Sequence, residues 1–368
     1  MNFRNLKFLA VALLLPLFSA CTIVPGMQYS SDVPQPGVHP ILKEITPQLL
    51  QQEREAREKY DDTQIKALFA KPQPYKVGIG DVLAVNLLGQ TDLPAVSVVM
   101  QPVPNSAADS MVTTGYTVDQ DGDVHLPYVG TVKVAGMTMR DIYNELDQQF
   151  RTYIKKPEFT VQVASYRSKR VYIAGEVKSP GVLPVIDIPM TLPEALGRAG
   201  GYTEMGNQGA IEIDRDGKRY TVDIPELTAH GINPSQILLK DGDMVRIPSR
   251  EEGEVFVVGD VTKPSVVLPV NAHLTLNDAL GQAGGVDPST SDPRQIFVIR
   301  NVSDKHPEVF HLDAATPVAL ALAANFQLQA KDVIYVDAAP LARWNRVISQ
   351  VLPSAQLVVD AKYLNVFH

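Results

Sequence analysis

The chain has one cysteine, Cys21, and one tryptophan, Trp344, among 368 residues. A single thiol excludes an internal disulfide framework, a cysteine metal cluster and a dithiol redox motif. No run of 18 or more apolar residues occurs beyond the N-terminus, so no ordinary transmembrane helix is predicted. Basic residues are outnumbered, 33 against 41 acidic, and they do not cluster. A net charge of −8 without a basic patch excludes nucleic acid as a natural partner. The chain lacks a P-loop, a Gly-x-Ser-x-Gly elbow and a His-Glu-x-x-His pair. Gly78-x-Gly80 lacks a third glycine and precedes a strand pattern, so it is no dinucleotide fingerprint. His39, His125, His230, His273, His306, His311 and His368 are scattered without metal-ligand spacing. In Asp119-Gln120-Asp121-Gly122-Asp123 the glycine is fourth, not sixth as an EF-hand loop needs, and a hairpin turn is predicted instead. No acid pair stands out for catalysis. The expectation is a protein without catalytic residues, cofactor or metal.

What is present begins with an address. Arg4 and Lys7 form a basic region, and Leu9–Phe18 is an apolar stretch too short to span a bilayer stably. Ser19 and Ala20 are small, and Cys21 follows at once. Residues 1–20 therefore read as a signal peptide. Leu17-Phe18-Ser19-Ala20-Cys21 resembles a bacterial lipobox, whose cysteine is fatty-acylated (palmitate is one such acyl group); Phe18 departs from the usual Leu. Thr22 is not the Asp of inner-membrane retention, which favours the outer membrane. One lipidated terminus is a marginal anchor, so a second membrane element is expected.

Residues 21–74 are interrupted by Pro25, Pro34, Pro36, Pro40 and Pro47 and read as an N-terminal linker or lid, with a short charged helix near Leu49–Phe69. Residues 75–165 have the pattern of a small α+β domain. Asp121-Gly122 is predicted to close a hairpin between Tyr116-Thr117-Val118 and Val124-His125-Leu126. Ile142, Leu146 and Phe150 recur every four residues in a helix over Met139–Tyr153, with Thr138 as N-cap.

Next comes an internal repeat. Val171-Tyr172-Ile173-Ala174-Gly175 returns as Val255-Phe256-Val257-Val258-Gly259, an offset of 84. At the same offset, eight of eleven residues from Thr191 to Gly201 are identical to those from Thr275 to Gly285. The predicted unit is a hairpin turning at Pro180-Gly181, then a short helix capped by Thr191. Leu192, Ala195, Leu196 and Ala199 form its packing face, and Gly200-Gly201 ends it by accepting positive φ. Further strands complete a β-grasp sheet. The copies are bounded at 166–252 and 253–338. Glu176 and Asp260, and likewise Glu194 and Asp278, occupy matching places, which argues for a structural use of these acids.

Lipobox, a 75–165 block opening on Gly78-x-Gly80-Asp81 and continuing through Pro127-Tyr128-Val129-Gly130, and two β-grasp copies resemble, in that order, the Wza-like family of outer-membrane polysaccharide export lipoproteins, built from a polysaccharide-export domain and SLBB repeats. The fold class expected is α+β multidomain. Residues 339–368 complete the resemblance. Trp344, Val347, Ile348, Val351, Leu352, Ala355, Val358 and Val359 share an arc of about 120–140° at helical spacing. Arg346, Ser349, Gln350, Gln356 and Asp360 lie opposite. Pro340 suits a first helical turn, and Pro353 is a kink point. From Pro340 to Val359 is about 30 Å of helix, close to a bilayer's hydrocarbon thickness. The resemblance implies a ring oligomer, an octamer, whose helices form an α-helical barrel with the first set facing lipid and the second a wet lumen. It implies a channel from periplasm to cell surface for capsular or extracellular polysaccharide, lipid-anchored in the outer membrane with most of the chain periplasmic. The implied partners are the polymer, membrane lipid and an inner-membrane polysaccharide co-polymerase, often a tyrosine autokinase. The alternative is a lipid-anchored periplasmic glycan-binding module that does not span the membrane.

Overall fold

The computed structural model describes residues 41–87, 97–99, 112–270, 273–300 and 307–342. Contacts divide the chain into two bodies, residues 55–250 and residues 1–54 with 251–368. The described chain starts with strand β1 (Ile41–Glu44) and helix α1 (Pro47–Lys66).

In the first body, residues 75–165 form an α+β unit. Strand β2 (Val82–Leu87) is flanked by β5 (Tyr116–Thr117) and β8 (Phe159–Ser165), both antiparallel to it. Two ribbons stand beside this sheet, β3 (Ser97–Val99) with β4 (Val112–Thr114) and β6 (Asp123–Leu126) with β7 (Gly130–Lys133). Helix α2 (Met139–Arg151) starts in a capping box between Thr138 and Asp141, which satisfies two backbone N–H groups that a helix start leaves free. Its residues Ile142, Leu146 and Phe150 are buried against Leu83, Val85 and Phe159. The turn at Asp121-Gly122 is present, held by the Asp119 carboxylate, which accepts from the N–H of Asp121 (3.0 Å) and Asp123 (2.9 Å). It does not close the predicted hairpin: β5 pairs with β2 and β6 with β7, so the turn passes the chain from one sheet to another.

The first β-grasp copy follows: β9 (Arg170–Gly175), β10 (Gly181–Pro184), α3 (Leu192–Arg198), β11 (Ile211–Arg215), β12 (Lys218–Val222), α4 (Ile224–Ala229) and β13 (Met244–Ile247). Its sheet order is β10-β9-β13-β11-β12, with the β9–β13 pair parallel and the other pairs antiparallel. The second copy has β14 (Val255–Gly259), β15 (Ser265–Val267), α5 (Leu276–Gln282), β16 (Ser291–Arg300), β17 (Glu308–Leu312), α6 (Val318–Asn325) and β18 (Val333–Ala338). Its order, β15-β14-β18-β16-β17, matches strand for strand, and β1 is added beyond β17. Thr191 and Thr275 cap α3 and α5. Both helices end at glycine pairs with φ near +80°, Gly200-Gly201 and Gly284-Gly285, a conformation that costs other residues about 1–2 kcal/mol. Leu192, Ala195, Leu196 and Ala199 are buried, as are Leu276, Ala279, Leu280 and Ala283.

The linker or lid predicted over 21–74 differs in its described part. β1 pairs in parallel with β17, and Ile45 and Leu50 enter the second copy's core. Ile65 and Leu68 enter the first copy's core, where Phe69 bridges Ile237. Leu68 is fully buried, worth about 1.5–3 kcal/mol, so residues 41–70 are structural parts of the bodies they join.

Candidate functional elements

Cys21, and Trp344, Arg346, Val347, Ile348, Ser349, Gln350, Val351, Leu352, Ala355, Gln356, Val358, Val359 and Asp360, lie outside the described residues. Residues 340–342 are helical, with Leu341 exposed and Ala342 buried. Among the described residues no helix is long and apolar enough to cross a membrane.

Three of the four acids that the repeat brought forward, Glu176, Glu194 and Asp278, serve the fold. Glu194 holds the Arg198 guanidinium at 2.7 Å one turn on. Asp278 closes a capping box on Thr275. Glu176 accepts from the Thr203 hydroxyl at 2.5 Å. His125 contacts Asp119 and Thr131, and His311 contacts Glu44 and the Arg294 carbonyl. Backbone N–H groups hold the Asp119 carboxyl below its ordinary range, with a smaller contribution from His125.

Three buried aspartates were not singled out by spacing, yet they share one device. Asp81, Asp243 and Asp332 each accept from the backbone N–H three residues earlier, at 2.9, 2.7 and 2.8 Å. The residue before each has positive φ: Gly80, Gly242 and Lys331. In the β-grasp copies the carboxylate is gripped by a buried arginine, Arg215 on Asp243 and Arg300 on Asp332. Each arginine also donates to a backbone carbonyl, Leu238 or Gln327. In the export block Asp81 instead accepts from the N–H of Arg167 and Ser168 and the hydroxyls of Ser168 and Tyr75. Burial pushes the Tyr75 phenol well above its ordinary range, which keeps it a donor. The Gly-Asp pairs at Gly80-Asp81 and Gly242-Asp243 were the available signal for two of the three. The arginines at strand ends gave none, because that position reads as surface.

The faces of the two sheets turned away from the helices differ. In the first copy Arg219 pairs with Asp214 (2.9 Å) and approaches Glu212 (3.7 Å), which also holds Arg246 (3.1 Å). In the second copy the same face carries an apolar cluster of Phe297, Val309 and Tyr335, with Val258 and Ile299 packed on it.

Fold and site together define a modular scaffold: an α+β domain, then tandem β-grasp domains whose polar residues are used for caps, turns and buried ion pairs. Residues 70–164 match the family described as polysaccharide biosynthesis/export protein. Residues 169–247 and 253–336 each match the SLBB domain, and residues 339–361 match the outer-membrane lipoprotein Wza C-terminal domain. The chain is 42% identical over 372 residues to the EPS I polysaccharide export outer membrane protein EpsA of Ralstonia nicotianae, covering 97% of each. It is 24% identical over 380 residues to the capsule polysaccharide export outer membrane protein CtrA of Neisseria meningitidis, covering 94% of this chain and 95% of that one. The capsule polysaccharide export protein BexD of Haemophilus influenzae is 23% identical over 296 residues, 74% of this chain and 73% of that protein. The chain belongs to the Wza-like family of outer-membrane polysaccharide export proteins, a transport family and not an enzyme family.

Proposed function

We propose that this chain conducts a capsular or extracellular polysaccharide across the outer membrane, from periplasm to cell surface, through a ring of its own copies. The carrying observation is the end-to-end match to an export protein at 42% identity over 97% of both chains. The match of residues 339–361 to a Wza C-terminal domain supports a spanning role for the amphipathic segment. A lone helix of this kind cannot cross lipid, because its polar face would meet hydrocarbon. A ring removes the conflict: Trp344, Val347, Ile348, Val351, Leu352, Ala355, Val358 and Val359 face lipid, while Arg346, Ser349, Gln350, Gln356 and Asp360 line a hydrated lumen. Family resemblance makes the ring an octamer. Acylated Cys21 supplies the second membrane attachment. A long hydrated polymer needs a wide polar path with weak contacts, not a tight site. The chain carries no nucleotide-binding motif, so drive comes from polymer synthesis and an inner-membrane co-polymerase, in many systems a tyrosine autokinase, at the periplasmic end.

Paired substitutions test this. Val351→Arg places a charge on the lipid face, at about 2.5–3.5 kcal/mol per subunit, repeated around the ring. Membrane assembly should fail and polymer should accumulate in the periplasm. Ser349→Arg should leave assembly intact and alter export. Equal tolerance of both substitutions would overturn the barrel.

A further inference from the structure

We propose that the outward side of helix α6, in the second β-grasp copy, rests in the periplasm-facing leaflet of the outer membrane, with Val318 and Leu320 among the lipid chains. The juxtaposition that carries it is an exposed, charge-free helix at the end of the sheet from which the chain leaves for its outer-membrane segment. The inference rests on the reading that the chain meets the membrane after residue 339; it does not rest on conduction.

Composition sets α6 apart. From Ala314 to Ala330 no residue carries a charge. A helix that is apolar all round is ordinarily buried all round, and α6 is not. Ala319 and Ala323 are buried in the domain core, and Leu322 packs on it. Pro317, Val318, Leu320, Ala321 and Ala324 fall on the other side at helical spacing, and all are exposed. Val318 is 75% and Leu320 49% exposed. The helix in the same place in the first copy, α4, is an internal control. Its exposed Thr228 and the following His230 are polar, and Glu226 stands in its first turn.

The ladders fix where this helix starts. β17 and β18 are both antiparallel to β16, so they end on the same side of the sheet. One short stretch at the start of β16 holds both ends. The Ala314 N–H donates to the Pro293 carbonyl at 2.9 Å, Ser291 pairs with Ala338, and the Ala339 N–H donates to the Thr290 carbonyl at 2.7 Å. α6 begins at Val318, close behind Ala314, and residues 339–361 are those that match the outer-membrane lipoprotein C-terminal domain. Leu341, just past this exit, is 69% exposed. From Val318 the helix runs away from the exit, because the chain must return to the far end of the sheet to begin β18. Polarity appears only at that far end. There Asn325 donates to the Ala321 carbonyl at 2.7 Å and accepts from the Arg54 guanidinium at 3.2 Å.

The make-up of the face selects lipid over a neighbouring copy. Protein interfaces centre on aromatic, Met or Arg anchors within a polar rim, and alanine is depleted there. The outward side of α6 offers Ala, Val, Leu and Pro, with no such anchor. Burial in hydrocarbon is non-directional and asks for no complementary shape.

The test uses the full chain in outer-membrane vesicles, with benzoylphenylalanine in place of Val318 or, as a control, of Thr228. On irradiation the Val318 variant should give a phospholipid adduct by mass spectrometry, and the Thr228 variant should give none. Adducts only with a second copy of the chain, or no adduct at all, would overturn the proposal. Trifluoromethylphenylalanine at the same places gives a second readout. Its fluorine signal at Leu320 should be broadened by spin-labelled lipid and spared by a gadolinium chelate in the water, with the reverse at Thr228. Equal broadening by the chelate at both places would reject the lipid contact. An epitope after His368 separates this inference from the channel. Lipid contact at Val318 with the epitope hidden on intact cells would leave α6 as the membrane foot of a non-spanning protein. An exposed epitope without lipid contact would reject the foot and keep the channel.

Discussion

The two β-grasp copies have one sheet order, one capped helix ended by a glycine pair and one buried Arg–Asp grip, yet their outer faces are opposites. Where the first copy has Asp214 and Arg219 on the outward row, the second has Ile299 and Val309. The shared residues are those whose loss would leave the sheet and helix unable to close. The differing ones decide what each copy meets outside itself. A charged, open face suits water; an apolar face must be covered. Duplication thus kept the skeleton and changed the surroundings, and the added β1 strand belongs to that change.

The largest test of the shared skeleton is the buried ion pair. Arg215→Ala or Arg300→Ala strands an aspartate in the interior, at about 3–5 kcal/mol. Arg300 should be the costlier by about 1 kcal/mol, because its guanidinium also lies 4.9 Å from the Phe310 ring centroid and 5.5 Å from that of Phe326. Hydrogen exchange read separately over residues 169–247 and 253–336 would show it, with each substitution loosening its own copy.

Gly175→Ala and Gly259→Ala should be almost equal, at about 3 kcal/mol each. A Cβ at either place would sit 2.0 or 2.1 Å from a carbonyl oxygen, Ile247 or Val336, across the parallel strand pair. Unequal effects in the same exchange measurement would mean that the two ladders are not equivalent.

A smaller asymmetry lies in the aspartate turn. Gly242→Lys should cost about 1 kcal/mol for a side chain at positive φ. Lys331→Gly should be nearly neutral, because relief of the same conformation is offset by the lost pair with Glu254 (2.8 Å) and a freer unfolded chain. Urea titration of the two variants would separate them.

Smallest is the pH response of the outer faces. The Arg219 hydrogen bond holds Asp214 below its ordinary value of 3.8. A depressed folded value means that the contribution is present above that pH and is lost as pH falls below it toward the folded value. Exchange in residues 211–222 should quicken on acidification, while the apolar Ile299–Val309 pair should give no matching response.

Much of this was legible because its signals are local. The 84-residue repeat, the Thr138, Thr191 and Thr275 caps, the Gly-Gly stops and the four-residue spacing in α2 are all written in short windows. The β1 strand was not, because Ile41–Glu44 has no periodicity of its own and pairs with a strand more than 260 residues away. Lys331 hid the third aspartate turn, since a turn at positive φ is usually sought through glycine. Asp121-Gly122 marked a turn but could not say which sheets its flanking strands would join. Of the candidate site, Cys21 and the faces of residues 344–360 came from the sequence and lie outside the described residues, while the apolar face of the second copy became visible only when distant strands were laid side by side.

The central claim is that the segment beginning near residue 340 carries the chain through the outer membrane. An epitope placed after His368, read by antibody on intact cells with an untagged strain and a periplasmic marker as controls, tests it most directly. The tag should be detected without permeabilisation, on a protein that still exports polymer. Detection only after the outer membrane is opened would contradict the channel and leave a lipid-anchored periplasmic module in its place.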